Sequence, residues 1–311
     1  MKNTLLIILA LLACASAAAI DFRIPQLLVH QQYPHPYHID YQEDQVVIRD
    51  QNYIWIHSIF NPWSPRLEGV FRSQYIIEDV NMLGGNQLYV CSQDPANLVT
   101  SVDTLSYPGT IYFTTTVQGD RITREGSMLY VADRFRGIDI IDIGKGGMRE
   151  VKSTFSEKWG IRDFIAEYPY LWALNDFGLV TVDISDLQFP VSLGVNYEIA
   201  DATVMAKNGN IVWLGAGKKL LAINAADMNN PRLIFQTRLS NDIRDLELKD
   251  NLLYLALGQG GLKILDVTNP LRVQDLRTIT HPYTEVFDVA LDGNLIFLAL
   301  GTDGWMIYEY R

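Results

Sequence analysis

The feature that most constrains this chain is internal repetition. One motif recurs along it: turn residues, an apolar or aromatic triplet, a short polar loop, then a second apolar run ending near Asp. The clearest copies are Leu129-Tyr-Val-Ala, Leu171-Trp-Ala-Leu, Leu253-Tyr-Leu-Ala and Ile296-Phe-Leu-Ala; weaker ones are Leu88-Tyr-Val-Cys, Val212-Trp-Leu-Gly and Gln45-Val-Val-Ile. The second residues are Val46, Tyr89, Tyr130, Trp172, Trp213, Tyr254 and Phe297, with steps of 43, 41, 42, 41, 41 and 43. A unit of about 40–45 residues holding several short strands is the mark of a β-propeller with four strands per blade. The spacing therefore predicts an all-β, seven-bladed propeller with four-stranded antiparallel blades.

Each unit reads as strands A to D. Strand A alternates, as in Phe287, Val289 and Leu291. Strand B is the nearly continuous apolar triplet, as for a strand covered on both faces. Strand C is exemplified by Leu179-Val-Thr-Val-Asp-Ile184, and Asn61-Pro62, Asn230-Pro231 and Asn269-Pro270 close it, because Pro cannot donate to a ladder. The last unit stops after strand C, at Tyr310. Pro25-Gln-Leu-Leu-Val-His-Gln matches Pro231-Arg-Leu-Ile-Phe-Gln in pattern. The N-terminal strand is thus expected to complete the last blade and close the ring, which protects an otherwise open sheet.

These residues carry a resemblance. Leu129-Tyr-Val-Ala-Asp with Ile140-Ile-Asp-Ile, and Leu253-Tyr-Leu-Ala with Ile264-Leu-Asp-Val and Asn269-Pro, resemble LVIVD repeats. The resemblance runs from about residue 25 to 311 and is strongest in units three, four, six and seven. It implies a propeller fold and an extracytoplasmic setting in a bacterium or archaeon. It implies no chemistry.

Residues 1–19 read as an export signal, leaving 20–311 as one propeller domain. Lys2 precedes an apolar run from Thr4 to Ala13, too short to span a bilayer as a helix. Two processing routes stay open. Ala17-Ala18-Ala19 fits cleavage before Ile20, whereas Leu11-Leu12-Ala13-Cys14 resembles a lipobox in which Cys14 is lipidated. Cleavage at Ala19 leaves Cys91 as a lone, apolar-strand cysteine, so no intrachain disulfide forms. The net charge of −11 speaks against nucleic acid and against anionic membrane surfaces, leaving the Cys14 anchor as the membrane contact.

The strand-C acids Asp103, Asp142, Asp183 and Asp266, with Glu309, recur once per unit and so read as turn-forming residues that accept backbone N–H bonds. Departures from the repeat are the candidate site. His35-Pro-Tyr37 and His281-Pro-Tyr283 enter the inner strands of neighbouring blades, with His38 close by, and could contact a ligand or a metal. Arg134-Phe135-Arg136 in a B–C loop could grip a carboxylate, phosphate or sugar acid. Trp159 and Tyr197, at D-to-A connections on the same face, could stack on a sugar or peptide. No nucleophile elbow, metal-ligand, thiol-pair, Walker or EF-hand motif occurs, so no catalytic residue, resident metal or cofactor is assigned. The expected function is a non-catalytic binding scaffold of the cell envelope for a protein, peptide or glycan. The rival is a propeller hydrolase or metal-dependent enzyme working in the central channel.

Overall fold

The computed structural model describes residues 25–309, apart from 33, 43, 85–86, 94–98, 104–109, 116–118, 134, 145–149, 157–159 and 282–283. Six four-stranded antiparallel blades follow one another, spanning 38–72, 77–115, 121–155, 163–196, 204–238 and 245–279. The expectation of a seven-bladed propeller is corrected here. Counted as runs of four consecutive strands there are six, because after residue 279 only Asp288–Asp292, Leu295–Ala299 and Trp305–Glu309 remain. These three join Gln26–Gln31 in a composite sheet made from both ends of the chain. The described residues thus hold seven four-stranded sheets, six contiguous and one composite.

The composite sheet copies the contiguous ones in detail. In every blade the pairing of strands C and D carries a register shift at the same place, such as Ile140/Ile141, Thr181/Val182 and Ile264/Leu265. A bulge there increases local twist and swings the outer strand away. The N-terminal strand shows the same irregularity between Leu27 and Val29, against Tyr308 and Ile307. The glycine opening strand C tells the same story. A Cβ on Gly178 (φ +152°) would lie 1.8 Å from the Asn196 carbonyl oxygen, at the end of its own strand D, and one on Gly304 (φ +85°) 1.7 Å from that of Gln31. Only glycine permits that approach.

Strand B is buried on both faces. Leu129, Val131, Leu171, Ala173, Leu253 and Leu255 have no accessible surface. Its aromatic residue packs against the next sheet in chain order: Tyr130 toward blade four, Trp172 toward blade five, Phe297 toward blade one. Blade one holds a one-residue correction to the repeat. Val47 opposes Asp40 as Tyr254 opposes Glu247, and it packs toward blade two; Val46 faces the composite sheet instead. A strand side chain changes face with every residue, so the structural anchor of unit one is Val47, not Val46. Clusters of buried side chains join each neighbouring pair of sheets, and Ile39, Trp55, Phe297 and Trp305 close the circle between blade one and the composite sheet.

The turn-forming acids behave as their recurrence implies. Asp142, Asp183 and Asp266 each accept the N–H of the residue two places on, at 2.8–2.9 Å. Asn224, which departs from the repeat, makes the same bond to Ala226 at 2.9 Å, and Ser58 makes a longer one to Phe60 at 3.5 Å. An oxygen acceptor is all the turn requires. Buried Cys91 is a free thiol.

Candidate functional site

The inner strands all begin at one end of the ring, the channel mouth. Their equivalent first positions, read from the residues they oppose on strand B, are His38, Asp79, Arg121, Asp163, Val204, Asp245 and Asp288. An inner strand is a sheet edge, with N–H groups that nothing in its own blade can satisfy. Asp supplies the acceptor from the neighbouring blade. Asp79 takes the N–H of Ile122 at 2.9 Å, Asp163 that of Met205 at 2.8 Å, Asp245 that of Val289 at 3.2 Å and Asp288 that of Ile39 at 2.9 Å. The ring of acids is therefore first a set of latches between sheets.

Charge in the ring is uneven. His38 Nδ1 sits 2.5 Å from Asp288, and its Nε2 is 3.9 Å from Asp79. Burial alone would raise the Asp288 carboxyl. The adjacent His38 ring, the interaction with Asp245 and the Ile39 N–H more than offset it and hold Asp288 well below the usual carboxylate range. Asp245, buried beside Asp288 and Glu247, is pushed well up. Burial lifts Asp163 to about 6 in spite of Arg121, and also raises Asp40. Arg121 loses some of its hold on the proton to burial but gains more from Asp163, Asp79, Asp245 and Asp288, so it stays a fixed cation.

A cavity of about 790 Å³ opens at this mouth over blades one to five. Arg49, Glu78, Asp120, Arg121, Phe135, Ile161, Arg162, Asp176 and Thr203 line it. The volume lies within the range of small-molecule sites. Arg162 is already committed, to Asp176 at 3.0 Å and to the Ala200 carbonyl at 3.1 Å. Arg49 donates through Nη1 to the Ile77 carbonyl at 2.8 Å, while its Nε is buried without a partner. Arg121 makes no hydrogen bond, and no ion pair within 4 Å, to any described residue.

The residues singled out from sequence are only partly brought together. Phe135 is 80 % exposed and forms a wall of the cavity. Arg136 is half exposed and donates through Nη2 to Asp139 at 2.6 Å in its own blade. Arg134, Trp159, Tyr283 and Cys14 lie outside the described residues. Tyr197 is 70 % exposed on the mouth face, in the 3₁₀ turn Tyr197–Ile199. The three histidines part company. His38 enters the acid ring, His35 is exposed before it, and His281 hydrogen-bonds the Tyr308 hydroxyl of the composite sheet. Among the described residues, no group of three or more His, Cys, Asp or Glu is placed to hold a metal. Sequence reasoning missed Arg49, Arg121 and Arg162. Aligning the first residue of each inner strand shows Arg121 standing where three blades and the composite sheet carry Asp.

Residues 120–146 and 241–272 match the LVIVD repeat. They lie in blades three and six, so the fold and its sequence signature define a β-propeller that carries LVIVD repeats. No curated protein matches the chain. Among solved structures, the computationally designed protein Ika8 is similar at 12 % identity and a TM-score of 0.68, over 92 % of this chain and all of that one. A chain of the mitotic checkpoint complex is similar at 13 % identity and a TM-score of 0.72, over 93 % of this chain and 94 % of that one. Likeness at such identities is of fold alone.

Proposed function

We propose that this propeller is a non-catalytic binding scaffold of the cell envelope, and that its ligand, a protein, peptide or glycan, engages the channel mouth. The observation that carries this reading is the cavity over blades one to five, where Phe135 stands exposed and Arg121 makes no hydrogen bond or close ion pair to a described residue. Rigid strand ends hold its lining side chains, and loops supply its rim, the usual division of labour in binding folds. The acids of the ring are occupied as latches, which supports a scaffold over a catalyst. Mass spectrometry of the mature chain tests the location. A first residue of Ile20, or an acylated Cys14, supports export; a chain that keeps Met1 contradicts it. Thr203→Trp, which fills the cavity, is expected to abolish ligand binding with little change in melting temperature. Binding that survives it would place the ligand elsewhere.

One observation favours the enzyme reading. Asp245 and Asp288 are neighbouring carboxyls whose surroundings drive them in opposite directions, the pattern of an acid and a base. Turnover of lactone, ester or glycoside substrates that disappears in Asp245→Asn would establish it.

A further inference from the structure

Resting on the reading just given, we infer that the mouth ligand presents a carboxylate, and that Arg121 and Arg49 receive it. Among the described residues, Arg49, Arg121 and Arg162 line the cavity and Arg136 stands in the loop beside Phe135; Arg162 and Arg136 already hold partners. Arg162 is tied to Asp176 and to the Ala200 carbonyl, and Arg136 to Asp139. Arg121 and Arg49 line the same cavity and are close enough for each to feel the other's charge. Arg121 has no partner within hydrogen-bonding or ion-pairing distance among the described residues. Arg49 has a buried Nε with nothing to donate to. A buried donor without an acceptor costs free energy until a ligand supplies one. Two forked guanidinium groups suit a planar anion.

The ring acids do not cancel this preference. They stand at the same level of the inner strands as Arg121, but Asp79, Asp163, Asp245 and Asp288 spend oxygens on backbone N–H groups. Burial also lifts Asp245 well above the usual carboxylate range, which lessens its negative charge. Glu78 and Asp120 share the cavity wall and decide between anions. A phosphate dianion would meet two carboxylates at short range, whereas a carboxylate carries half that charge. Phe135 and Ile161 offer the ligand's body an apolar wall. Two sources fit this chemistry: the free C-terminus of a peptide and the acid group of a uronic sugar.

Calorimetric titration of the full chain at neutral pH tests the inference, with N-acetylphenylalanine, its primary amide and glucuronate as probes. We expect at least one of the two acids to bind, and the one that does identifies the source. The amide should bind at least about tenfold more weakly than the matching acid. Arg121→Gln should weaken acid binding by about 10- to 100-fold, the worth of one charge-assisted bond, with Arg121→Lys in between and both variants melting cooperatively. Equal binding of acid and amide, acid binding unchanged in Arg121→Gln, or no acid binding at millimolar concentration would overturn it. Equal binding that Thr203→Trp abolishes would sink the carboxylate assignment while leaving the mouth as the binding site. Binding indifferent to Thr203→Trp would remove the site as well.

Discussion

The six contiguous blades and the composite sheet solve one problem by different routes. In a contiguous blade, strand D arrives within a few residues of strand C and closing the sheet costs little chain entropy. In the composite sheet the partners of Gln26–Gln31 lie more than 270 residues away, at Trp305–Glu309. The product is nonetheless the same sheet, with the same register shift and the same glycine pressed on the end of the outer strand. Geometry in a propeller is set by the neighbours a strand must pack between, and chain order matters little to it. What differs is chemistry. The closing seam carries His38 on Asp288, and His57 is buried against Trp305 with ring centroids 5.1 Å apart and Nδ1 unbonded. The seam between blades four and five carries Asp163 with no histidine.

The largest effect is expected from removing the closing strand. Deletion of residues 25–31 strips Leu28 and Val29 from the core between the composite sheet and blade one and opens an edge of the sheet. A single cooperative melt should be replaced by a broad or early transition in calorimetry. An unchanged melt would mean that the ring does not depend on the strand.

Next in size are the glycines. Gly304→Ala and Gly178→Ala both drive a Cβ into a backbone carbonyl at a positive φ. Each should cost about 3 kcal/mol or more in chemical denaturation. Near-equal losses would mark the two seams as equivalent. A much smaller loss in Gly304→Ala would show the composite sheet to be looser than the blades.

The latches come third. Asp163→Ala and Asp288→Ala each orphan a neighbour's N–H, at a cost of about 1–3 kcal/mol, with Asp288→Ala the costlier because it also strands His38. Asp163→Asn keeps an acceptor and should cost under about 1 kcal/mol. The turn variant Asp183→Ala leaves its N–H near solvent and should cost less than either latch.

How much of this was legible in the sequence follows from what repeats. The aromatic triplets and the turn acids recur because every blade packs and turns alike, so the period, the all-β propeller class and the closing strand could be read directly, whereas the count of seven blades was one more than the six contiguous ones. The anchor of blade one was misread by a residue, because Val46, Val47 and Ile48 are all apolar and all buried, and an unbroken apolar run does not reveal which face a residue takes. The site was less legible. Phe135 was found as a loop aromatic, but Arg121 sits inside a strand whose counterparts are Asp, His and Val, and only the ring geometry places those positions side by side. His281 turns to Tyr308 and His38 to Asp288, directions that the His-Pro-Tyr pattern does not reveal.

Acid should separate the seams. Burial lowers His57 to about 4, below its unfolded value near 6.5. Unfolded chains therefore bind the extra proton first, and stability is lost as pH falls from about 6.5 toward 4, by about 2–3 kcal/mol. Asp288, held low, keeps its contribution until pH drops below its unfolded value near 4 and loses it through its folded value. Asp163, raised to about 6, runs the other way: the folded state binds its proton first, and that seam gains stability as pH falls from 6 toward 4. His57→Phe should flatten the loss between pH 6.5 and 4 in thermal melts; an unaltered slope would remove His57 from the account.

Amide hydrogen exchange on the intact chain tests most directly whether the two ends form one sheet. At neutral pH the amides of Gln26–Gln31 that pair with Trp305–Glu309 should exchange as slowly as those of Val191–Asn196, strand D of blade four. Fast exchange confined to Gln26–Gln31, with the other sheets protected, would contradict closure by the N-terminal strand.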